Sequence, residues 1–189
     1  ESLEFKNHVR RFMLIFGPYM DGFEGASERS AEVQTEELKP DSIASPRNLE
    51  QALAWIGDQP YGLAATPAFA QADLFGDDSL AWAICVGNTA TTLSPAIAQG
   101  ILAQIPEQAV LHDAKPHYKS GALQGPIRTD TLLAGYVLQS GRSQYALRDL
   151  TQGYLDVAAP VQPAQIACAL VRLDQEMRTK LEKEGQLDV

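Results

Sequence analysis

Residues 128–155 show the clearest helical pattern in the chain. Leucine and aromatic side chains recur there every three or four positions, on both sides of a short stretch around Gly141. This spacing predicts two amphipathic helices joined by a turn. Each helix must bury its apolar side against other parts of the chain, so the fold needs a shared core that covers both.

The composition allows a core of that kind. The chain has 189 residues, of which 45% are hydrophobic and 21% charged, the usual balance of a soluble globular domain. No apolar run approaches the ~20 residues that span a bilayer, and no signal-peptide pattern opens the sequence. We therefore expect a cytoplasmic protein without a membrane partner. Because Glu1 is not a natural start, we also expect a piece of a longer polypeptide.

The cysteine and histidine residues give no sign of a metal site. Cys85 and Cys168 each lie in an apolar run, which predicts two buried thiols rather than a disulfide or a metal ligand. The three histidines, His8, His112 and His117, lack the spacing of zinc ligands. We expect a reducing compartment and no bound cofactor in this segment.

Acidic residues dominate the N-terminal part. The chain has a formal net charge of −9, and residues 21–41 alone contain seven acidic residues against Arg29 and Lys39. Few large apolar side chains lie in this part, so we expect a flexible acidic linker over residues 19–45. Because a negative surface repels phosphates, this segment alone should bind nucleic acid weakly or not at all.

The folded unit is expected to begin near residue 46. Ser45 and Pro46 predict the start of a helix that has Leu49, Leu53 and Ile56 on one side. Apolar runs and helical spacing then predict strands over 61–66, 81–87 and 108–114, a candidate strand over 89–93, and helices over 95–105 and 163–185. This order predicts an α/β fold with a mixed β-sheet packed with α-helices.

The last helix is the longest predicted element. Its apolar stripe, which predicts burial against the core, consists of Ile166, Leu170, Leu173, Met177 and Leu181. The exposed side of this helix is predicted from two pairs of opposite charge with a spacing of four residues. They are Asp174 with Arg178 and Glu176 with Lys180.

The helix pair of residues 128–155 also resembles a known family. It is similar to the Asp-Thr-x-Leu-x-x-Tyr-x-Leu…Leu-x-x-Leu-x-x-x-Tyr-Leu region in the proofreading exonuclease domain of bacterial DNA polymerase I, a family A polymerase. The matching residues are Asp130, Thr131, Leu133, Tyr136, Leu138, Leu147, Leu150, Tyr154 and Leu155. Residues 109–115, AVLHDAK, resemble the strand before that region in the degenerate form of high-GC Gram-positive (actinobacterial) polymerases. Residues 2–12, SLEFKNHVRRF, resemble the helix that closes the 5′-nuclease domain.

The resemblance covers nearly the whole chain and implies its organisation. The implied fold is the ribonuclease H-like fold of DnaQ-like exonucleases. Residues 1–18 would be the C-terminal helix of the upstream 5′-nuclease domain, and 19–45 the acidic linker. Residues 46–189 would be the 3′–5′ exonuclease-like domain, which leads into the polymerase domain.

Active members of this family hydrolyse mispaired 3′ ends with two divalent metals, which carboxylates hold in place. This chain departs from the family at each motif that can be aligned. The first motif, Asp-x-Glu, falls on Ala65 and Pro67, and the Asp of the second motif falls on His117. The third motif, Tyr-x-x-x-Asp, falls on Gln162 and Ile166. The resemblance therefore implies an exonuclease site without catalytic or metal-binding residues.

An active exonuclease would need displaced carboxylates. Candidate metal ligands for that alternative are Asp73 and Asp113, with Asp77 and Asp78 beside them. We favour a different role for Asp113, as a cap of the helix that follows it. Asp130 matches the family, where it starts a helix and binds no metal, so it is predicted to be an N-cap.

Two further pairs copy the motif spacings without matching their positions. Tyr145 and Asp149 have the spacing of the third motif but lie one helix too early. Asp174 and Glu176 have Asp-x-Glu spacing, but on a helix the residues i and i+2 point apart. Neither pair is predicted to form a metal site.

The resemblance thus implies a structural, non-catalytic domain within a DNA-directed DNA polymerase of replication and repair. DNA and Mg²⁺ would be bound by the parent polymerase, and the intramolecular partners would be its polymerase and 5′-nuclease domains. The parent enzyme would be cytoplasmic and associated with the nucleoid. The alternatives are an active metal-dependent 3′–5′ proofreading exonuclease and a free-standing interaction module.

Overall fold

The computed structural model describes residues 36–66 and 81–186. The predicted N-terminal helix and the predicted linker up to residue 35 lie outside these residues. Pro67 and three of the candidate acids, Asp73, Asp77 and Asp78, also lie outside them.

One sheet of six strands organises the described residues. The strands are β1 (Asp41–Ser42), β2 (Tyr61–Thr66), β3 (Ala81–Val86), β4 (Thr89–Leu93), β5 (Ala109–Leu111) and β6 (Thr129–Asp130). Their order across the sheet is β1-β4-β3-β2-β5-β6. The β2–β3 and β3–β4 pairs are antiparallel, whereas β1–β4, β2–β5 and β5–β6 are parallel. The prediction of an α/β fold with a mixed sheet is confirmed, and the candidate strand over 89–93 is β4.

Helices cover both faces of this sheet. They are α1 (Leu49–Ile56), α2 (Pro95–Gln104), α3 (Lys115–Lys119), α4 (Thr131–Leu138), α5 (Leu147–Leu155) and α6 (Pro163–Lys183), with a 3₁₀ turn at Pro106–Gln108. Helices α1 and α2 share a core with one face, and α6 packs on the other. Helices α4 and α5, the predicted pair, pack against α6. Within the described ranges no helix is both long and apolar enough to cross a membrane.

Helix α6 lies very close to the central strand β2. A Cβ atom built on Gly62 would lie 2.0 Å from the carbonyl oxygen of Ala167, so only glycine fits there. The predicted apolar stripe is buried, with Leu170, Leu173 and Met177 no more than 1% exposed. The missing side chain at Gly62 therefore lets the helix pack closely on the sheet, while Leu173, Met177 and Leu181 farther along are buried against α4 and α5.

The cysteines differ from the prediction. Cys85 of β3 and Cys168 of α6 form a disulfide, with their Cα atoms 5.1 Å apart. The prediction of burial holds, since they are 0% and 1% exposed, but the prediction of two free thiols is wrong. The surrounding residues are small, among them Ala64, Ala83 and Ala167, and this brings the strand and the helix within bonding distance.

The folded unit begins earlier than residue 46. Strand β1 pairs with β4, the side chain of Leu38 is 3% exposed, and Glu36 forms a β-bridge with Val157. The predicted linker is therefore wrong for residues 36–45, which pack on the domain. A short strand of this kind is held by pairing with a distant partner and leaves no periodic pattern in the sequence.

The start of α1 also differs from the prediction. Asn48, not Ser45, is the N-cap, and its side-chain oxygen accepts a hydrogen bond of 2.9 Å from the backbone N–H of Gln51. Ser45 instead lies beside β4, where its hydroxyl is 2.9 Å from that of Thr92. Both residues are good caps, and the pairing of the preceding segment with the sheet decides between them.

Asp174 was predicted to lie on the exposed side of α6 and to pair with Arg178, and this is wrong. It is fully buried, and its carboxylate accepts hydrogen bonds from Arg128, at 2.7 Å, and from the hydroxyl of Thr129. The guanidinium of Arg128 neutralises the charge, and the two donors together satisfy the carboxylate oxygens away from water. This ion pair fixes α6 to the segment around β6.

We expect Gly62→Ala to destabilise the domain. The added methyl group would meet the backbone of Ala167, so α6 must move away from β2, at a cost of about 1–3 kcal/mol or more. Gly153→Ala is the matched control, because Gly153 lies in α5 with nothing within 4 Å of a built Cβ. That change should stabilise the domain by up to about 1 kcal/mol. Urea unfolding measures both, and equal effects of the two variants would contradict the described crossing of α6 and β2.

We expect reduction of the disulfide to lower the melting temperature by roughly 8–20 °C. The bond closes a loop with a sequence separation of 83 residues, and in the chain-entropy model such a loop contributes roughly 4–5 kcal/mol. Thermal unfolding with and without a phosphine reductant measures the shift. The double variant Cys85→Ala, Cys168→Ala should show no effect of the reductant. Two alkylatable thiols in denatured, unreduced protein would show that the bond is not formed.

Candidate functional site

A cavity of about 180 Å³ lies at the carboxyl ends of the central strands β2 and β5. This end of a sheet with parallel strands is where ligand sites commonly lie in α/β folds. Leu63, Leu111, Leu147 and Leu170 provide most of its apolar wall. Among the described residues, its polar side chains are two imidazole rings, those of His112 and His117.

Three of the five positions that the resemblance aligned with catalytic residues line this cavity. Ala65 comes from the end of β2, His117 from α3, and Ile166 from the first turn of α6. Gln162 does not line it. Its side chain instead caps α6, in a reciprocal pair of hydrogen bonds with Gln165. The fifth position, Pro67, lies outside the described residues.

His112 is held in one orientation. Its Nδ1 atom lies 2.9 Å from the hydroxyl of Thr131, and that hydroxyl donates to the carbonyl oxygen of Leu111 at 3.2 Å. When the hydroxyl proton is used in this way, Nδ1 is the donor to the hydroxyl and Nε2 is left as an acceptor. Burial lowers the pKa of His112, and the carboxylates of Asp130 and Asp113 oppose that shift.

His117 is also uncharged near neutral pH. Burial lowers its pKa below the usual value, with Asp113 acting in the opposite direction. Its ring lies 6.0 Å from the ring of Trp82, at a tilt of 56°. The cavity therefore contains two neutral nitrogen bases among alkyl groups. The sequence prediction missed His112 as a lining residue, although its position directly after β5 was a usable signal.

The described residues do not fit the pair of divalent metals that active exonucleases of this family use. Mg²⁺ and Mn²⁺ prefer oxygen ligands, and two of them need several carboxylates. Within 36–66 and 81–186, no carboxylate lines the cavity, and no three His, Cys, Asp or Glu side chains are grouped to hold a metal. Ala65 and Ile166 offer no ligand atoms at all.

Asp113 and Asp130 do not line the cavity, and Asp130 has a structural role. Asp130 is the N-cap of α4, as predicted, and accepts from the backbone N–H of Leu132 at 3.0 Å. Its carboxylate also accepts from the backbone N–H groups of Asp113 and Ala114. Asp113 has a positive φ of 58° in this turn, and α3 has Ala114 at its N-cap, without a side-chain cap. The prediction that Asp113 caps α3 is therefore wrong.

The pairs that copy motif spacings do not reach the cavity. The hydroxyl of Tyr145 donates to the backbone oxygen of Gln139 at 2.6 Å. Asp149 lies in the first turn of α5, where Arg148 contacts it at 3.2 Å. Asp174 is buried between β6 and α6, as described above.

The chain is similar to known proteins in its structure. No protein-family model matches the chain, and no curated protein matches it. The POL domain of Pol1 from M. smegmatis, solved in complex with DNA primer-template and dNTP, is similar with a TM-score of 0.60 and 23% identity. That match covers 78% of this chain and 28% of the other, so this chain spans little more than a quarter of that neighbour's length.

Two smaller neighbours match over most of their own length. Brucella melitensis NrnC has a TM-score of 0.52 and 14% identity, over 79% of this chain and 84% of that one. The apo form of a nuclease has a TM-score of 0.50 and 13% identity, over 78% and 82%. Identities this low establish the fold alone. The chain has a ribonuclease H-like fold with a mixed sheet, as the resemblance implied.

Proposed function

We propose that the chain is a non-catalytic 3′–5′ exonuclease-like domain of a bacterial DNA polymerase I, with a structural role in that enzyme. The observation on which this rests most is the lining of the cavity. At the carboxyl ends of β2 and β5 the described side chains are alkyl groups and two neutral imidazoles. The structural similarity to the POL domain of Pol1 supports the polymerase as the parent.

The chemistry of the reaction explains why such a cavity cannot perform it. Hydrolysis of a 3′ phosphodiester by two metals needs one metal to activate a water and another to stabilise the leaving oxygen. Without carboxylates neither metal remains in place against the charge of the phosphate. Neutral His112 and His117 supply no negative charge. The resemblance aligns Ala65 and Ile166, whose side chains are alkyl groups, with acids of the family.

The domain would then act through its shape. In the proposed parent it would connect the 5′-nuclease and polymerase modules, while DNA and Mg²⁺ bind to the polymerase module. The parent would copy DNA in replication and repair, in the cytoplasm and near the nucleoid. The net charge of the chain is −9 and repels phosphates, so this domain alone should bind DNA weakly or not at all.

We expect the isolated chain not to shorten single-stranded DNA from its 3′ end in Mg²⁺ or Mn²⁺. The measurement is a gel assay with a 5′-labelled oligonucleotide, in which the product ladder is compared with a buffer blank. Asp113→Asn and Asp73→Asn are the informative variants. If the unchanged chain degrades the oligonucleotide and either variant abolishes this, the active exonuclease with displaced carboxylates is the correct interpretation.

We expect a metal site to appear when acids are returned to the cavity. The triple variant Ala65→Asp, His117→Asp, Ile166→Asp would place three carboxylates on one cavity wall, where they repel each other and lower stability. Mn²⁺ should relieve the repulsion and raise the melting temperature of this variant only. The control has Asn at the same three positions. The proposed position of the lost site would be contradicted if Mn²⁺ raised the melting temperature of the unchanged chain. It would also be contradicted if Mn²⁺ left the melting temperature of the Asp variant unchanged.

A further inference from the structure

A second and larger concavity lies on the other side of α3. It has a volume of about 940 Å³ and is bounded by α3, α4, the segment around β6 and the C-terminal end of α6. We call it the α3–α4 groove. His117 faces the small cavity, whereas Lys115, Tyr118 and Lys119 of the same helix line the groove. The groove is therefore separate from the degenerate site.

The floor of the groove is aliphatic and partly open to solvent. Leu132, Leu133 and Val137 of α4 line it, with Leu181 of α6 on the far side. The side chain of Leu133 is 58% exposed. Of the six large apolar residues exposed in the described part of the chain, Tyr118, Leu133 and Val137 line this one groove. Exposed apolar groups gathered in a concave surface are typical of a binding site.

Positive charges surround this floor. Lys115 and Lys119 of α3 and Arg178 of α6 line the groove, and none of them pairs with a carboxylate of the described residues. A fourth cation, Arg128, is already held by the buried Asp174. In a chain with a net charge of −9, these three cations beside an apolar floor attract an anionic partner to this place, although Arg178 also donates to the backbone oxygen of Arg128 at 3.5 Å.

Two acids, Asp113 and Asp130, also line the groove, and the charge of Asp130 is offset by the backbone. The carboxylate of Asp130 accepts hydrogen bonds from three backbone N–H groups, two of them at the start of the α3 turn and one at the start of α4. Those dipoles offset its charge. Asp113 also lines the groove, is exposed, and lies two residues before Lys115 in the chain.

We propose that the α3–α4 groove is a docking site for an amphipathic protein helix that has large apolar side chains on one face and carboxylates beside them. The apolar face would lie on Leu132, Leu133 and Val137, and the carboxylates would pair with Lys115, Lys119 and Arg178. This is the usual way in which a groove of aliphatic side chains binds a helix. The volume accommodates several side chains of such a face.

Single-stranded nucleic acid fits the groove less well. Surfaces that bind it without sequence preference stack successive bases on aromatic side chains. Tyr118 is the aromatic residue among the described lining residues, and its hydroxyl is bound to the backbone oxygen of Gly125 at 2.9 Å. Aliphatic side chains predominate instead, and they favour protein side chains as ligands.

The test is a selection of peptides against the whole chain. A phage-displayed library of random peptides of about 20 residues, long enough to form a helix on binding, is panned against the immobilised protein. We expect recovered peptides to have large apolar residues at helical spacing and Asp or Glu between them. Their affinity should fall at least about tenfold, or 1.4 kcal/mol, with Leu133→Asp and with Lys115→Glu, Lys119→Glu.

Matched controls separate the groove from general surface effects. Val161→Asp changes a side chain that is 61% exposed but outside the groove, and Lys39→Glu changes an exposed lysine elsewhere. Both should bind the peptides like the unchanged chain, and all variants should keep its melting temperature. The proposal is overturned if the recovered peptides are neutral or basic, or if none depends on Leu133. It is also overturned if oligo-dT binds and the lysine variants abolish that binding.

Discussion

The close contact of α6 with β2 at Gly62 is the constraint on which the other features depend. Because the backbone of Ala167 occupies the place of a side chain, the helix crosses the centre of the sheet at the shortest distance. This crossing places Cys168 against Cys85 and brings Ile166 to the end of β2. Farther along, the same helix buries Asp174 against Arg128 and provides the surface on which α4 and α5 pack. One glycine thus fixes both the core and the cavity.

Elements that depend on local periodicity were predictable from the sequence, and elements that depend on distant partners were not. The long stripe of α6 and the apolar runs of β2 and β3 are visible in the sequence because each repeats over several residues. Strands β1 and β6 have two residues each, and they exist through pairing with β4 and β5. The disulfide was missed for the same reason, since 83 positions separate its cysteines. Asp174 looked like an exposed residue because no local pattern reveals the arginine 46 positions away.

The candidate site was located by resemblance rather than by chemistry. Ala65, His117 and Ile166 have no property that would single them out, and only their alignment with family motifs did so. The structure brings these three together on one cavity, while Gln162 has a capping role instead. Composition and periodicity gave no sign of the α3–α4 groove, because its cations and apolar residues come from three separate helices. Surfaces assembled from distant segments require the fold before they can be recognised.

The hydrogen bonds of Asp130 affect which residues of this domain can be substituted without loss of the fold. In a working two-metal site, the metals help to hold together the loops that supply their ligands. Here a single carboxylate binds the backbone at the start of α4 and in the turn before α3, and so fastens both to the end of β6 without any metal. The segments beside the cavity are thus held by bonds to main-chain atoms, which exist whatever side chains surround them. Changes at Ala65, His117 or Ile166 leave these bonds in place, so the side chains of the cavity can vary while the backbone around it keeps its course.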